Sequence, residues 1–259
     1  MSDLNSILAS LNPITLDEMD SVKLMDRSDT KFIFHSTRLP LLLSQVKPFY
    51  RVLDIAGNRL NRYETLYYDY PDFLLYKKHH NGKLNRHKVR FREYTDSGKC
   101  YFEVKFKSNK DKTKKVRIKT KKIALCIDGE AANFLNDCSK MEATSLFPGV
   151  RINYSRITLV SKFRSERLTI DLGLSYRNSQ PGHPRWSDDR FITVDNLAIA
   201  EVKQEKFSYS THFFAVMKNN RIRTARLSKY CTGVNLLYPE VKSNRFKERL
   251  LNVRRVTLG

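Results

Sequence analysis

The sequence lacks the residue groups on which several common kinds of site depend. Its four cysteines are far apart and show no Cys-x-x-Cys or Cys/His ligand spacing. A structural zinc site or a disulfide framework is therefore not expected, and a reducing compartment fits best. The six histidines are scattered, which argues against a histidine-centred acid–base or nucleophilic mechanism. The adjacent pair His79 and His80 has no third ligand nearby, and we interpret it as part of a solvated turn.

Several sequence motifs and targeting segments are also missing. The chain contains no GxxxxGK[ST] loop and no GxGxxG, GxSxG or HExxH motif, so nucleotide binding of the P-loop or Rossmann kind has no support. The N-terminal stretch has no basic region followed by an apolar core, and no apolar run is long enough to span a bilayer. We therefore expect a cytoplasmic protein without a signal peptide.

Positive charge is what the chain has in excess. It has 48 Lys and Arg against 27 Asp and Glu, a formal net charge of +21 over 259 residues. Such a balance predicts an anionic partner, which composition alone leaves open among nucleic acid, a phosphorylated metabolite, polyphosphate and an anionic membrane surface. The hydrophobic content of 41% is sufficient for a sizeable core.

The charge is concentrated on alternate residues of three consecutive predicted strands. Residues 86–119 read as strands joined by polar turns at 95–99 and 108–112, with apolar residues on one face. The other face carries Lys88, Arg90, Arg92, Glu103, Lys105, Lys107, Lys115, Arg117 and Lys119. An ordinary solvated face is one interpretation. Closely spaced like charges repel, however, and a bound polyanion would relieve that repulsion.

A second group of strands follows a helix predicted over residues 121–140. Segments 154–160, 167–171 and 197–203 alternate in the same way and also have basic polar faces. We predict one α+β domain over residues 1–259, in which both groups form an antiparallel β-barrel around a polar lumen with helices packed outside. Closure of the barrel would remove the sheet edges. The core would span about residues 20–235, and residues 236–259 would form a basic C-terminal helix.

The tripeptide Glu-Val-Lys occurs twice, at Glu103–Lys105 and at Glu201–Lys203. In a strand, residues two apart point to the same side, so a carboxylate and an ammonium share one space. A carboxylate can hold a divalent cation that bridges phosphate oxygens, while Lys and Arg neutralise the remaining charge. Phosphoryl transfer depends mainly on such positioning and electrostatics. Either tripeptide alone would be an ordinary surface ion pair.

Eight short motifs, in one order, resemble the VTC domain. This is the catalytic polyphosphate polymerase domain of the vacuolar transporter chaperone family, within the triphosphate tunnel metalloenzymes. The motifs are Asp29-Thr-Lys31-Phe, Thr65-Leu-Tyr67-Tyr-Asp69, Lys88-Val-Arg90-Phe-Arg92-Glu-Tyr94, Phe102-Glu103-Val-Lys105, Tyr154-Ser-Arg156, Arg167-Leu-Thr-Ile-Asp171, Ala200-Glu201-Val-Lys203 and Leu227-Ser-Lys229-Tyr.

The resemblance implies a tunnel that binds ATP with a manganese or magnesium ion and adds the γ-phosphate to a growing inorganic polyphosphate chain. It implies that Glu201 binds the metal, with Glu103 as a second candidate. The catalytic cations implied are Lys31, Arg90, Arg92, Arg156, Lys203 and Lys229. Further phosphate contacts are implied for Lys105, Arg117, Arg167 and Arg226.

Two departures from the family pattern shape the expected function. Tunnel hydrolases open with Glu-x-Glu-x-Lys, whereas this chain has Arg27-Ser-Asp29-Thr-Lys31, which favours a polymerase over a triphosphatase. No SPX domain or membrane span accompanies the motifs, which indicates a stand-alone, bacterial form. Its basic C-terminal helix would dock on an anionic membrane surface or a separate membrane partner, making the protein peripheral to the membrane's inner face.

Two alternatives remain open at the level of sequence. A tripolyphosphatase or nucleoside triphosphatase on the same barrel would use water in place of phosphate as the acceptor. A non-catalytic nucleic-acid-binding protein would explain the charge, but no RRM signature or helix-turn-helix is evident. Acids within the basic face also oppose nucleic acid, so nucleic acid is not the expected partner.

Overall fold

The computed structural model describes residues 2–21, 28–110, 112–179 and 192–258. Position 27 of the hydrolase-like opening motif lies outside these ranges. The helices are α1 (Ser2–Ser10), α2 (Leu16–Ser21), α3 (Leu39–Val46), α4 (Leu74–His80), α5 (Gly129–Ser139), α6 (His212–Asn219), α7 (Lys229–Leu237) and α8 (Lys247–Leu258). The strands are β1 (Pro13–Ile14), β2 (Ser28–His35), β3 (Tyr50–Leu53), β4 (Asn61–Asp69), β5 (Arg86–Tyr94), β6 (Lys99–Lys107), β7 (Thr113–Thr120), β8 (Phe147–Ser161), β9 (Glu166–Asn178), β10 (Ile192–Val194) and β11 (Leu197–Gln204).

The three-stranded meander predicted for residues 86–119 is confirmed. Strands β5 and β6 pair with Arg90 opposite Glu103, and β6 and β7 pair with Glu103 opposite Arg117. Directly opposed residues of an antiparallel pair share one face of the sheet. The charged residues predicted to share a face therefore do so, as their period-2 alternation predicts, whereas Glu93 and Lys114 lie on the opposite face.

Both predicted groups of strands belong to a single sheet in the described residues. Its order is β2-β11-β9-β8-β4-β5-β6-β7, and every neighbouring pair on this path is antiparallel. We call the face that carries Lys31, Arg156 and Arg90 the inner face, and the opposite one the outer face. The α+β architecture with an antiparallel sheet is confirmed.

Strand pairing among the described residues does not close the sheet into a complete barrel. Within the described residues, β2 and β7 end the path and do not pair with each other. The segment before α7 lies along the free edge of β2 instead, with a bridge between Phe32 and Thr224 and a hydrogen bond from Ala225 N to the Lys31 carbonyl (2.8 Å). Farther along this segment, Ser228 Oγ accepts a hydrogen bond from Lys88 Nζ of β5 (3.0 Å). The segment thus links the two halves of the sheet.

The outer face is apolar and is covered by helices, as predicted. Helices α1, α3 and α6 pack on Phe32, Leu159 and Val202, and α5 packs on Phe91 and Phe102. Phe32, Phe91, Phe102 and Val202 each lie next to a charged inner residue, so the same period produces both the core and the polar face.

Helices α4, α7 and α8 pack against the inner face, in addition to the helices that cover the outer face as predicted. Tyr230 of α7 stacks on Tyr67 with a ring separation of 4.9 Å, and α8 lies against β2 and β11. The reason is that one end of the inner face is apolar: Val150, Ile152 and Tyr176 lie there and pack with α7. The C-terminal helix itself is shorter than residues 236–259, since α7 ends at Leu237 and α8 begins at Lys247.

The histidine pair is not a solvated turn. His79 and His80 are the last residues of α4, and His80 is only 3% exposed. His79 Nδ1 lies 3.0 Å from the thiol of Cys231 on α7. Burial and the charges of Lys88 and Arg86 lower the pKa of His79 to about 2, so this imidazole is neutral.

In the described part of the chain, no helix is long and apolar enough to cross a membrane.

The contact between α7 and the sheet predicts the effect of adding one methyl group. A Cβ on Gly233 would lie 2.7 Å from both Tyr176 Cδ1 and Val150 Cγ1, closer than carbon atoms pack. We expect Gly233→Ala to lower the free energy of unfolding by about 1–3 kcal/mol, measured by urea denaturation. Gly149→Ala is the control, because its Cβ would meet only ordinary contacts at 3.7 and 3.8 Å. Equal stability of the two variants would contradict this packing.

Candidate functional site

The sheet register places most of the predicted site residues on the inner face. Glu201 is opposite Lys31 on one side and Thr169 on the other, and Lys203 is opposite Arg167. Arg156 is opposite Asp171, and Arg90 is opposite Glu103. Residues that share this face are Lys31, Arg90, Arg92, Glu103, Lys105, Arg117, Arg156, Arg167, Glu201 and Lys203.

The first of three shared carboxylates is Glu201. Its Oε1 accepts a short hydrogen bond from Lys31 Nζ, and its Oε2 accepts one from Lys203 Nζ at 2.7 Å. The three side chains are between 15% and 29% exposed, so the group is open to solvent on one side. Burial alone would raise the pKa of Glu201, but the charges of Lys203 and Lys31 hold it well below its ordinary value. Glu201 is therefore ionised and neutralises one of its two partners.

The second shared carboxylate, Glu103, lies deeper. Its Oε2 accepts a hydrogen bond from Arg90 Nε (2.7 Å) and its Oε1 one from Lys115 Nζ (3.0 Å), while the side chain is 1% exposed. Burial would raise its pKa, yet the charges of Arg90, Arg92 and Lys115 lower it far below the ordinary range. A fully ionised carboxylate thus fixes two cations from neighbouring strands.

The third shared carboxylate, Asp171, joins the sheet to α7. Arg156 binds it with both nitrogens of its fork, Nε to Oδ1 at 2.6 Å and Nη2 to Oδ2 at 2.9 Å. Lys229, the first residue of α7, donates a short hydrogen bond to Oδ2. Burial opposes ionisation, but Arg156 and Lys229 lower the pKa of Asp171 strongly, and Asp171 in turn raises that of Arg156.

Tyrosine rings contact several arginines of the inner face. The guanidinium of Arg156 lies 5.2 Å from the ring centre of Tyr63, and that of Arg92 lies 5.8 Å from the same ring. Arg90 Nη1 donates to Tyr67 Oη at 2.8 Å. Burial would raise the pKa of Tyr67, but the charges of Arg90, Arg92 and Lys88 lower it to about 8. These contacts hold the cations in fixed positions before any ligand binds.

Some cations of the inner face have no carboxylate bonded to them in the described residues. Arg92 Nε reaches only Thr65 Oγ1 at 3.3 Å, and Arg117 lies over the ring of Tyr101 at 4.4 Å. Burial and the charge of Lys88 lower the pKa of Lys105 to about 8, against the opposing charges of Glu201 and Asp29. Strand β6 is distant from β11 and β2 in strand order, so the influence of Glu201 and Asp29 on Lys105 indicates that the sheet curls and brings these strands near one another.

Two predicted phosphate contacts lie away from this centre. Arg167 is on the inner face, but its Nη2 donates to the carbonyl of Met19 at 3.1 Å, near α2. Arg226 lies exposed between α6 and α7, and its side chain makes no hydrogen bond or ion pair with other described residues. Neither is brought into contact with the three shared carboxylates.

Sequence reasoning missed several members of the site. Lys115 and Asp171 were placed on polar strand faces but given no role in the site, and Tyr63 was not considered. The alternation of Arg167, Thr169 and Asp171 was the signal that could have found Asp171. Nothing local indicated its partnership with Lys229, which is distant in sequence and comes from a helix.

The residues fit a divalent cation in combination with a phosphate ligand. No three His, Cys, Asp or Glu side chains come together in the described residues. Glu201, however, lies in a partly open space, and the neighbouring Thr169 Oγ1 is buried without a hydrogen-bond partner among those residues. Magnesium sites for phosphoryl transfer often use one or two carboxylates, with substrate phosphates and water completing the shell. Glu201 suits this arrangement better than Glu103, which is enclosed by Arg90 and Lys115.

Comparison with known families agrees with this geometry. The family model described as VTC domain matches residues 26–238, most of the chain. The chain belongs to the VTC domain family. The resemblance read from the eight motifs is thereby confirmed, and the matched range contains all the residues of the candidate site. No functionally curated protein matches the chain in a sequence comparison.

Solved structures extend the fold comparison. A putative adenylate cyclase from Bacillus halodurans is 14% identical, with a TM-score of 0.51 over 83% of this chain and 100% of its own. A putative adenylate cyclase from Vibrio parahaemolyticus is 13% identical (80% and 99% covered, TM-score 0.48). A putative adenylyl cyclase from Hippeastrum, described as having a dominant triphosphatase activity, is 12% identical (81% and 95% covered, TM-score 0.48). The likeness to the Bacillus protein shows a shared tunnel-type fold.

The ion pairs of Asp171 with Arg156 and Lys229 predict that removing its charge strongly destabilises the fold. Asp171→Asn would leave Arg156 and Lys229 buried without their carboxylate, so we expect a loss of about 3–5 kcal/mol of stability. Sodium tripolyphosphate should restore part of the melting temperature by supplying an anion. The control is Glu18→Gln, which breaks the exposed ion pair with Arg51 and should change little. Equal melting temperatures for the two variants would rule out the buried network.

The lowered pKa of Lys105 predicts pH-dependent anion binding. Because the ammonium loses its proton near pH 8, affinity for tripolyphosphate should fall as pH rises from about 7 to about 9. Isothermal titration calorimetry in two buffers should detect proton uptake on binding. The Lys105→Arg side chain stays charged over this pH range, so the affinity of this variant for tripolyphosphate should depend less on pH. The ionisation of tripolyphosphate and that of Tyr67 affect both proteins equally. If the affinity of the two proteins changes equally with pH, Lys105 is excluded from the binding site.

Proposed function

We propose that this chain is an ATP-dependent polyphosphate polymerase that transfers the γ-phosphate of ATP to a growing inorganic polyphosphate chain along its inner face. The observation that carries this proposal is the set of cations held in pairs by carboxylates, two buried and one partly exposed, in a chain of the VTC domain family. A polyanion would offer these cations the negative charge that the carboxylates now supply, and it could contact several pairs at once.

The proposed reaction requires little of the protein beyond positioning. The terminal phosphate oxygen of the chain attacks the γ-phosphorus in line, the bond between the β-phosphate oxygen and the γ-phosphorus breaks, and ADP leaves. The attacking oxygen is already ionised at neutral pH, so no protein base is needed. Lys31, Arg90, Arg92, Arg156, Lys203 and Lys229 would neutralise charge on the transferred group and its neighbours. Lys105 and Arg117, with Arg167 and Arg226 farther out, would hold the rest of the polymer.

A manganese or magnesium ion would be held by Glu201, with Glu103 as the more enclosed alternative. The ion would supply positive charge to the phosphate oxygens. Lys31 and Lys203 already bond both oxygens of Glu201, so each of them would move to phosphate when Glu201 takes the ion. This exchange keeps the charge of the site balanced.

The remaining partners and the location follow from charge. We place the protein in the cytoplasm, with contact to an anionic membrane surface or a separate membrane partner through the basic C-terminal helix. Helix α8 buries Val253 and turns Arg254 and Arg255 to solvent, so such contact would be electrostatic. Three ionised acids among the cations disfavour nucleic acid as a partner.

The direct test is to incubate the purified protein with ATP and manganese and to resolve the products on a polyphosphate-staining gel. We expect a ladder of long polymer with ADP released in step. Free orthophosphate without polymer would overturn the polymerase proposal and favour hydrolysis by the same site. Salt-sensitive nucleic-acid binding without either product would mean that the basic face serves another purpose.

Substitution of the metal ligand separates turnover from binding. We expect Glu201→Gln to lower metal-dependent turnover by roughly 100-fold or more, because the carboxylate that would hold the ion is gone. Binding of tripolyphosphate without metal should persist, since Lys31 and Lys203 are then free to bind it. Glu205→Gln, an exposed acid just beyond the same strand, is the matched control. Full activity of Glu201→Gln would exclude Glu201 as the metal ligand.

A further inference from the structure

Two neighbouring loops at one end of the sheet expose large aromatic side chains. The turn between β8 and β9, residues 162–165, carries Phe163, which is 66% exposed. The segment after β11, residues 205–210, carries Phe207 and Tyr209, which are 46% and 70% exposed. We call residues 162–165 and 205–210 the aromatic loops. Single exposed apolar residues are ordinary, but three aromatic rings at one place indicate an interaction surface.

The aromatic loops form one continuous surface. Strands β9 and β11 pair up to the base of the loops, and Glu205 N donates to the Ser165 carbonyl at 3.4 Å. The ring centres of Phe207 and Tyr209 lie 4.5 Å apart, and both rings pack on Phe214 of α6. Phe163 contacts His212, at the start of the same helix.

A buried polar network fixes the base of this surface. Glu166 accepts hydrogen bonds from Tyr50 Oη and from Gln204 Nε2, the latter at 2.7 Å. Gln204 in turn bonds the backbone of Ser208 twice, through its Nε2 at 3.0 Å and its Oε1 at 3.2 Å. Glu166 and Gln204 are 2% and 3% exposed. The aromatic rings are therefore presented on a preorganised support, which lowers the entropy cost of binding.

The charge around the rings is positive. In the sequences SKFRS and QEKFSYS, Lys162 and Arg164 flank Phe163, and Lys206 precedes Phe207, against the single acid Glu205. Lys162 Nζ donates to the carbonyl of Pro48, which brings the end of α3, with Lys47, to the same edge. Aromatic rings flanked by lysine and arginine match the boundary between acyl chains and anionic headgroups.

We propose that the aromatic loops dock this protein on an anionic lipid bilayer by inserting Phe163, Phe207 and Tyr209 at the headgroup boundary. The rings are exposed on two loops, with Phe207 and Tyr209 resting on Phe214, and such exposed rings suit the deformable boundary of a bilayer. The flanking cations select anionic lipid. The surface is distinct from α8, which carries no aromatic side chain. Docking does not depend on the polymerase activity and is measured without ATP.

Co-sedimentation with vesicles of phosphatidylcholine, with or without phosphatidylglycerol, tests this proposal. We expect binding only when phosphatidylglycerol is present. Phe207→Ser with Tyr209→Ser should weaken it by about tenfold or more. Arg164→Glu with Lys206→Glu should weaken it similarly and make the remaining binding less dependent on salt. The matched control is Leu84→Ser with Leu125→Ser, which removes exposed apolar groups elsewhere. Arg254→Glu with Arg255→Glu measures separately how much α8 contributes to binding.

Each outcome of this experiment decides the proposal. Loss of binding in both loop variants, with full binding in the Leu84 and Leu125 control, supports it. Binding that depends on the α8 arginines and not on the aromatic loops overturns it, as does equal binding to vesicles without phosphatidylglycerol. Absence of vesicle binding by the unaltered protein, with capture of an acidic protein through the same loops, would reassign the surface to a protein partner. Circular dichroism of each variant excludes loss of fold as the cause.

Discussion

The rest of the structure depends on the balance of charge on the inner face of the sheet. Cations from neighbouring strands would repel one another there, and burial would add to the cost. Glu103, Asp171 and Glu201 each lie between two of these cations and offset both effects. The strands can therefore stay paired with their basic side chains turned inward, and the apolar side chains on the alternate positions are left to build the outer core. One alternation supports both the stability of the sheet and the chemistry that we propose for it.

Helix α7 ties this charged layer to the apolar end of the inner face. Its first residue, Lys229, bonds Asp171, while Tyr230 donates a hydrogen bond to the buried carboxylate of Asp69 and stacks on Tyr67. The segment that precedes it follows the free edge of β2, which would otherwise offer unpaired backbone groups. The same short stretch of chain thus protects an edge, fills the apolar end and contributes a cation to the candidate site.

Much of the sheet could be predicted because its signal is local. The alternation around Glu103 and Glu201 placed the acids and their neighbouring lysines on one face, and the register confirms it. The position of α7 could not be predicted in the same way. An amphipathic pattern predicts that a helix packs against the sheet, but it does not predict against which face. The pairing of Lys229 with Asp171 depends on contact between distant parts of the chain, as does the incomplete closure between β2 and β7. His79 was misread because its neighbours in sequence are polar, whereas its neighbour in space is Cys231.

The sharing of each carboxylate by two cations has a consequence for selectivity by ligand length. A single orthophosphate can replace one carboxylate only, and it competes with an acid that is permanently tethered at short range. A chain of linked phosphates engages several cation pairs at once, and each group bound raises the effective concentration of the next. For the proposed polyphosphate ligand, the acids would therefore set a threshold in the number of linked phosphates: they would discourage binding of small anions, while affinity would rise steeply with chain length. Discrimination of this kind needs no contact with the ends of the polymer.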